Sequence, residues 1–139
     1  EVEMIRVARR LGLLTTPYVF CKKDVEQMVE AGADVIVIHL GLTASNSIGA
    51  KTVALKLETC APFIQELTDV AHTLRPSVIV LAHGGPLATP KDVKYILDRT
   101  VGVAGFYGAS SMERLPVEEA IPQRIREFKL LRQYFQSHS

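Results

Sequence analysis

The sequence predicts an α/β fold built on a parallel sheet, and three observations lead there. Four short apolar runs, among them DVIVIHLG and SVIVLAHGG, are bounded by turn residues and lack the alternation of a sheet with one wet face. They read as strands covered on both sides. Amphipathic segments long enough to serve as crossover helices separate them, and the strict alternation of the two kinds suits right-handed βαβ units.

The elements follow in order. EVEMIRVARRLG places Val2, Ile5, Ala8 and Leu11 at near-helical spacing and ends on Gly12, the pattern of a helix with a C-terminal glycine. LLTTPYVF predicts a short strand that stops near Pro17, because proline cannot donate to a ladder. In DVEQMVEAG, Val25, Met28 and Val29 share one face ahead of Gly32, which gives a second helix. DVIVIHLG is the second strand. The long connection GLTASNSIGAKTVALK is expected to be a loop with a helical turn near 48–55, since loops of that length are usually functional. LETCAPFIQELTDVAHTLRP then forms a helix, on the expectation that Pro62 falls in its first turn. SVIVLAHGG, TPKDVKYILDRT and GVAGFYG supply a strand, a helix opened by threonine and proline, and a fourth strand. The last helix comes from LPVEEAIPQRIREFKLLRQYF, with Ile125, Phe128, Leu131 and Phe135 as its buried stripe and Pro122 causing a kink or a delayed start.

Two architectures satisfy this order: a small open doubly wound sheet, or a parallel (βα)4 half of a TIM (β/α)8 barrel, which needs about 250 residues when whole. With 139 residues, the chain is expected to form a single partial domain over 1–139.

Composition narrows the function. A net charge of +1, with Lys and Arg scattered, offers no basic surface for a phosphate backbone, so nucleic acid is excluded as a partner. No apolar stretch has the roughly 20 residues of a membrane span. Cys21 and Cys60 lack metal-ligand spacing and read as reduced thiols, which places the protein in the cytoplasm. The opening EVEMIRVARR starts inside a helical pattern, as a piece of a longer protein would.

The chemistry-bearing residues gather at the carboxyl ends of the strands, where both architectures hold their ligands. His39 and Gly41 close the second strand, with Thr43 and Ser47 in the loop beyond; His83, Gly84 and Gly85 close the third; Gly108, Ala109, Ser110 and Ser111 follow the fourth. His83 and His39 are the candidates for proton transfer. The backbone at Gly84, Gly85 and 108–111 is the candidate anion cradle, since N–H groups at a helix start attract negative charge. Gly41, Thr43 and Ser47 form the candidate substrate loop. The loops around 32–34, 75–77 and 99–102 are brief and look chemically plain, and His72 reads as solvated.

The stretches EVEMIR, LLTTPYVF, AGADVIVIHLGLT, SIGAKT, HGGP and GFYGASSMERLPVEEAI, in that order, resemble the C-terminal half of the phosphoenolpyruvate hydrolase-like, or TIM-barrel signal transduction, family. The resemblance implies that the four strands are the fifth to eighth of a barrel, completed by an N-terminal half or by a second copy. It implies a small phosphorylated or carboxylate metabolite as ligand and either phosphoenolpyruvate hydrolase-like activity or a non-catalytic sensing or oligomerisation role. A divalent metal such as Mg would draw its ligands from the other half, because no carboxylate stands at these strand ends.

Overall fold

The computed structural model describes residues 1–41, 56–109 and 111–134. Its elements are α1 (Val2–Arg10), β1 (Tyr18–Val19), α2 (Lys22–Ala31), β2 (Val35–His39), α3 (Leu57–Leu74), β3 (Ile79–His83), α4 (Pro90–Leu97), β4 (Val103–Phe106) and α5 (Arg114–Tyr134). The chain divides into two compact units, Glu1–Gly108 and Ala109–Ser139.

In the first unit the four strands pair in the order β1-β2-β3-β4, all parallel. Strand order that follows chain order has no reversal, and a doubly wound sheet requires one at its switch point. The open-sheet alternative is therefore replaced by the barrel-type arrangement, in which consecutive right-handed crossovers put their helices on one face. That face carries the core. Val19, Ile36, Ile38, Val80 and Ala82 from the strands meet Val25 and Met28 of α2, Ile64, Leu67 and Ala71 of α3, and Ile96 of α4, all buried. The other face is aligned by register as Tyr18, Val37, Leu81 and Gly105, with Val35 opposite Ile79 and His39 opposite His83. Two of its apolar members, Tyr18 and Ile79, are exposed. In a closed barrel this would be the packed interior.

Several local expectations are corrected. β1 begins after Pro17 rather than ending there; proline serves as an entry residue of the edge strand, its carbonyl accepting from Val37 N–H. Pro62 lies in the second turn of α3, not the first. Its ring is on the solvent side, where water can satisfy the carbonyl that the missing N–H leaves unpaired. α5 starts at Arg114, so Pro122 does not delay it. Ile125 and Phe128 are exposed rather than buried, because an amphipathic stripe is buried only where another apolar surface meets it. Leu131 and Phe135 lie outside the described side chains. Leu11 is likewise exposed, at the C-cap of α1.

The amino-terminal end of the sheet is held by polar ties that the plain-looking loops conceal. Thr15, itself buried, donates through N–H and Oγ–H to Asp34 Oδ2 at 2.9 and 2.8 Å, and Asp34 N–H donates back to Thr15 Oγ at 2.9 Å. Arg9 reaches the Gly32 carbonyl, and Arg75 reaches the Ala33 carbonyl. His72, far from being solvated, is partly buried and donates from Nε2 to the Val78 carbonyl. The two Thr15 bonds, and secondarily Arg9 and Arg75, hold the Asp34 carboxyl below its usual pKa of 3.8. A depressed carboxyl pKa contributes stability above the unfolded value and loses it as pH falls through the folded one. Asp34→Ala is expected to cost about 1 kcal/mol at neutral pH by leaving Thr15 unpaired. Thermal unfolding should show that difference shrinking below pH 3.8; an unchanged difference at low pH would show that charge plays no part.

Candidate functional site

The register of β2 against β3 pairs His39 with His83 directly, one on each strand end. The pairing continues beyond the strands: Leu40 N–H donates to the His83 carbonyl at 2.9 Å and Gly85 N–H to the Gly41 carbonyl at 2.8 Å. Two glycines permit this approach. A Cβ on Gly84 would lie 2.5 Å from the Gly41 carbonyl oxygen, and one on Gly85 would lie 2.7 Å from Leu40; both have positive φ. The exit of β2 is thus the partner that HGG admits. Because Gly85 N–H is already bonded, it is not a free anion donor, which corrects that expectation. Among the described residues, nothing accepts from Gly84 N–H.

Around the two imidazoles stands an aromatic cluster that sequence reasoning missed. Tyr18 stacks on His83 with centroids 5.0 Å apart and meets His39 edge-on at 4.9 Å; Phe20 lies 5.0 Å from His39. The histidine rings themselves are 4.8 Å apart and nearly perpendicular at 72°. Tyr107 joins at 6.0 Å from His83. Its place depends on a register shift. Val80 pairs with Val103 but Leu81 with Gly105, so one extra residue of β4 is accommodated between them. That shift turns Phe106 toward the core and Tyr107 toward the histidines. The i, i+2 spacing of Tyr18 and Phe20 was the signal available in the sequence.

Each histidine has one ring nitrogen fixed by the backbone. Gly41 N–H donates to His39 Nδ1 at 2.9 Å, so that atom carries no hydrogen and the neutral ring bears its proton on Nε2. His83 Nδ1 lies 2.5 Å from the Tyr107 carbonyl oxygen, which can only accept, so Nδ1 carries the hydrogen and the neutral ring keeps a lone pair on Nε2. Burial, and after it the neighbouring His83, hold the His39 pKa below the usual 6.5. Protonation would also break the bond from Gly41 N–H.

The remaining expected residues lie at the end of the first unit, in the second unit or outside the described residues. Ala109 and Ser111 belong to the second unit, where Met112 N–H and Glu113 N–H both donate to the Ala109 carbonyl and are not free for an anion. Ser111 Oγ is buried with no partner among the described residues. Gly108 follows Tyr107 at the end of the first unit. Thr43, Ser47 and Ser110 lie outside the described residues. No group of three or more His, Cys, Asp or Glu among the described residues could hold a metal. Two imidazoles, one with hydrogen on its outward nitrogen, do not suit Mg, which takes oxygen ligands.

A parallel sheet in chain order, with a polar cluster at the carboxyl ends of its strands, defines a TIM-barrel-type protein. The chain belongs to the phosphoenolpyruvate hydrolase-like family, whose model matches residues 1–131. It is 57% identical over 129 residues to two tomato (Solanum lycopersicum) proteins, the ToMV susceptible protein tm-1(GCR26) and the ToMV resistance protein Tm-1(GCR237). The match covers 93% of this chain and 17% of each relative, so the chain spans about a sixth of their length. Among solved structures, "Native KDPGal structure" superposes with a TM-score of 0.58 at 25% identity, over 98% of this chain and 56% of the other. No described helix is long and apolar enough to cross a membrane.

A histidine whose folded pKa is depressed contributes stability above the unfolded value and loses it as pH falls between the two. His39 should therefore titrate below 6.5 by NMR, and His39→Phe should flatten the loss of thermal stability on acidification through that range. A His39 midpoint at or above 6.5 would contradict its burial.

Proposed function

We propose that the chain supplies one side of a small-anion pocket at the carboxyl end of a TIM-type barrel, with His39 and His83 as its polar floor. The observation that carries this is the pairing of two imidazoles on adjacent strand ends, each with Nδ1 held by backbone and with no described residue bonded to Nε2. Ligands of parallel α/β sheets sit at that end, and fixed tautomers on rigid strands are what recognition or proton transfer requires. Phosphoenolpyruvate hydrolase-like turnover, with His83 moving the proton, is the catalytic form of this reading. A metabolite sensor is its binding-only form.

The open edges of β1 and β4 and the uncovered Tyr18 and Ile79 support completion by a further half-barrel. That completing half is a better fit than a second copy. Five helices accompany four strands among the described residues, and two copies would bring twice five helices to a ring of eight. Light scattering of the chain alone should therefore show a monomer or irregular association; a discrete dimer that binds ligand would favour closure by two copies.

Titration with lactate, phosphoenolpyruvate and inorganic phosphate, followed through the His39 and His83 ring signals, tests the site. Saturable shifts in both rings for at least one anion are expected, and His83→Ala should weaken them about tenfold or more while circular dichroism stays that of a folded chain. Product formation in the same samples separates an enzyme from a sensor. Absence of any shift up to tens of millimolar would remove the proposed site.

A further inference from the structure

The two histidines are not equivalent, and their difference selects a ligand. The His39 ring offers a hydrogen on Nε2, because its Nδ1 accepts from Gly41 N–H. The neutral His83 ring offers a lone pair on Nε2, because its Nδ1–H is committed to the Tyr107 carbonyl. Backbone atoms impose both tautomers, and neither can invert without breaking a bond the fold supplies. With centroids 4.8 Å apart and rings at 72°, the two imidazoles lie close enough for one small molecule to meet both.

We propose that this donor–acceptor pair recognises a 2-hydroxycarboxylate, with a carboxylate oxygen accepting from His39 Nε2–H and the adjacent hydroxyl donating to His83 Nε2. The inference rests on the anion pocket described above and specifies its ligand. A fully ionised phosphate ester or a 2-oxo acid carries acceptors only. Against this pair, one of its oxygens would face the His83 lone pair, an unpaired contact that costs affinity at a site built for a hydroxyl. Phosphoenolpyruvate and pyruvate are therefore the poorer ligands at alkaline pH. The same geometry opposes a metal bridging the two rings, since the hydrogen on His39 Nε2 occupies the position a metal would take. Tyr18, stacked on His83 and half-exposed, adds an apolar wall that holds the acceptor ring in place.

The test needs no substitution. At pH 8, where an ordinary imidazole is neutral, long-range 15N–1H spectra of the 139-residue chain report the tautomer of each ring. Expected are a protonated Nε2 with bare Nδ1 for His39 and the reverse for His83. Lactate and pyruvate differ at one oxygen, hydroxyl against ketone. Titration of both, and of phosphoenolpyruvate, should show lactate binding at least about tenfold more tightly than either. Pyruvate or phosphoenolpyruvate binding as tightly as lactate would overturn the hydroxy-acid assignment while leaving the anion pocket standing. A proton on His83 Nε2 would overturn it as well. Binding by none of the three would overturn the assignment, and absence of binding by inorganic phosphate as well would overturn the pocket with it.

Discussion

The parallel register between β2 and β3 is the constraint on which the rest of the first unit depends. It places five residues of one strand against five of the other, from Val35 opposite Ile79 to His39 opposite His83. Period-two alternation then sends Ile36, Ile38, Val80 and Ala82 to the helix-covered face and both histidines to the other. A slip of one residue would exchange the two sets. The slip is opposed where the two strands end. At the carboxyl end Gly84 and Gly85 let the exit of β2 lie against the exit of β3, with the Gly85 N–H to Gly41 carbonyl bond sealing the contact. Any side chain there would drive the strand ends apart.

The two ends of the sheet use polar groups in opposite ways. At the amino end they are consumed: the Thr15 hydroxyl, the Asp34 carboxylate and the guanidinium groups of Arg9 and Arg75 all meet partners within the fold. At the carboxyl end each imidazole spends one nitrogen on the backbone and retains the other. Polar groups satisfied internally add stability; polar groups half-satisfied and held on rigid strands are what a ligand can use. The aromatic neighbours serve the second role by fixing ring orientation without competing for hydrogen bonds. Burial of the His39 ring, and after it the neighbouring His83, disfavours its charged form.

Strand and helix identities were legible because they follow from local pattern. DVIVIHLG and SVIVLAHGG form strands as their apolar runs indicated, and the helix opened by threonine and proline is capped by a box between Thr89 and Asp92. The histidines and glycines at the strand ends were legible for the same reason, as residues marking where each strand stops. The stripe of α5 was misjudged because apolar periodicity reveals a face and not the surface that covers it, and Ile125 and Phe128 are exposed. Thr15, Asp34 and Arg75 gave no sign of their contacts because they are far apart in sequence. The proline positions were misplaced by a turn or a residue, since proline only forbids a donor and does not say which carbonyl goes without one.

The sequence by itself determined an alternating α/β chain, its strand limits within a few residues, and the gathering of His39, His83 and their glycines at one end of the sheet. These depend on periodicity, turn chemistry and handed connections, which act over a dozen residues or so. Only the tertiary structure decided that the strands run in chain order, that a shifted register on β4 sends Tyr107 rather than Phe106 toward the histidines, and that the two rings hold opposite tautomers. Those outcomes turn on which backbone atom of one strand meets which of another. A one-dimensional pattern carries no term for that encounter; the folded sheet supplies it.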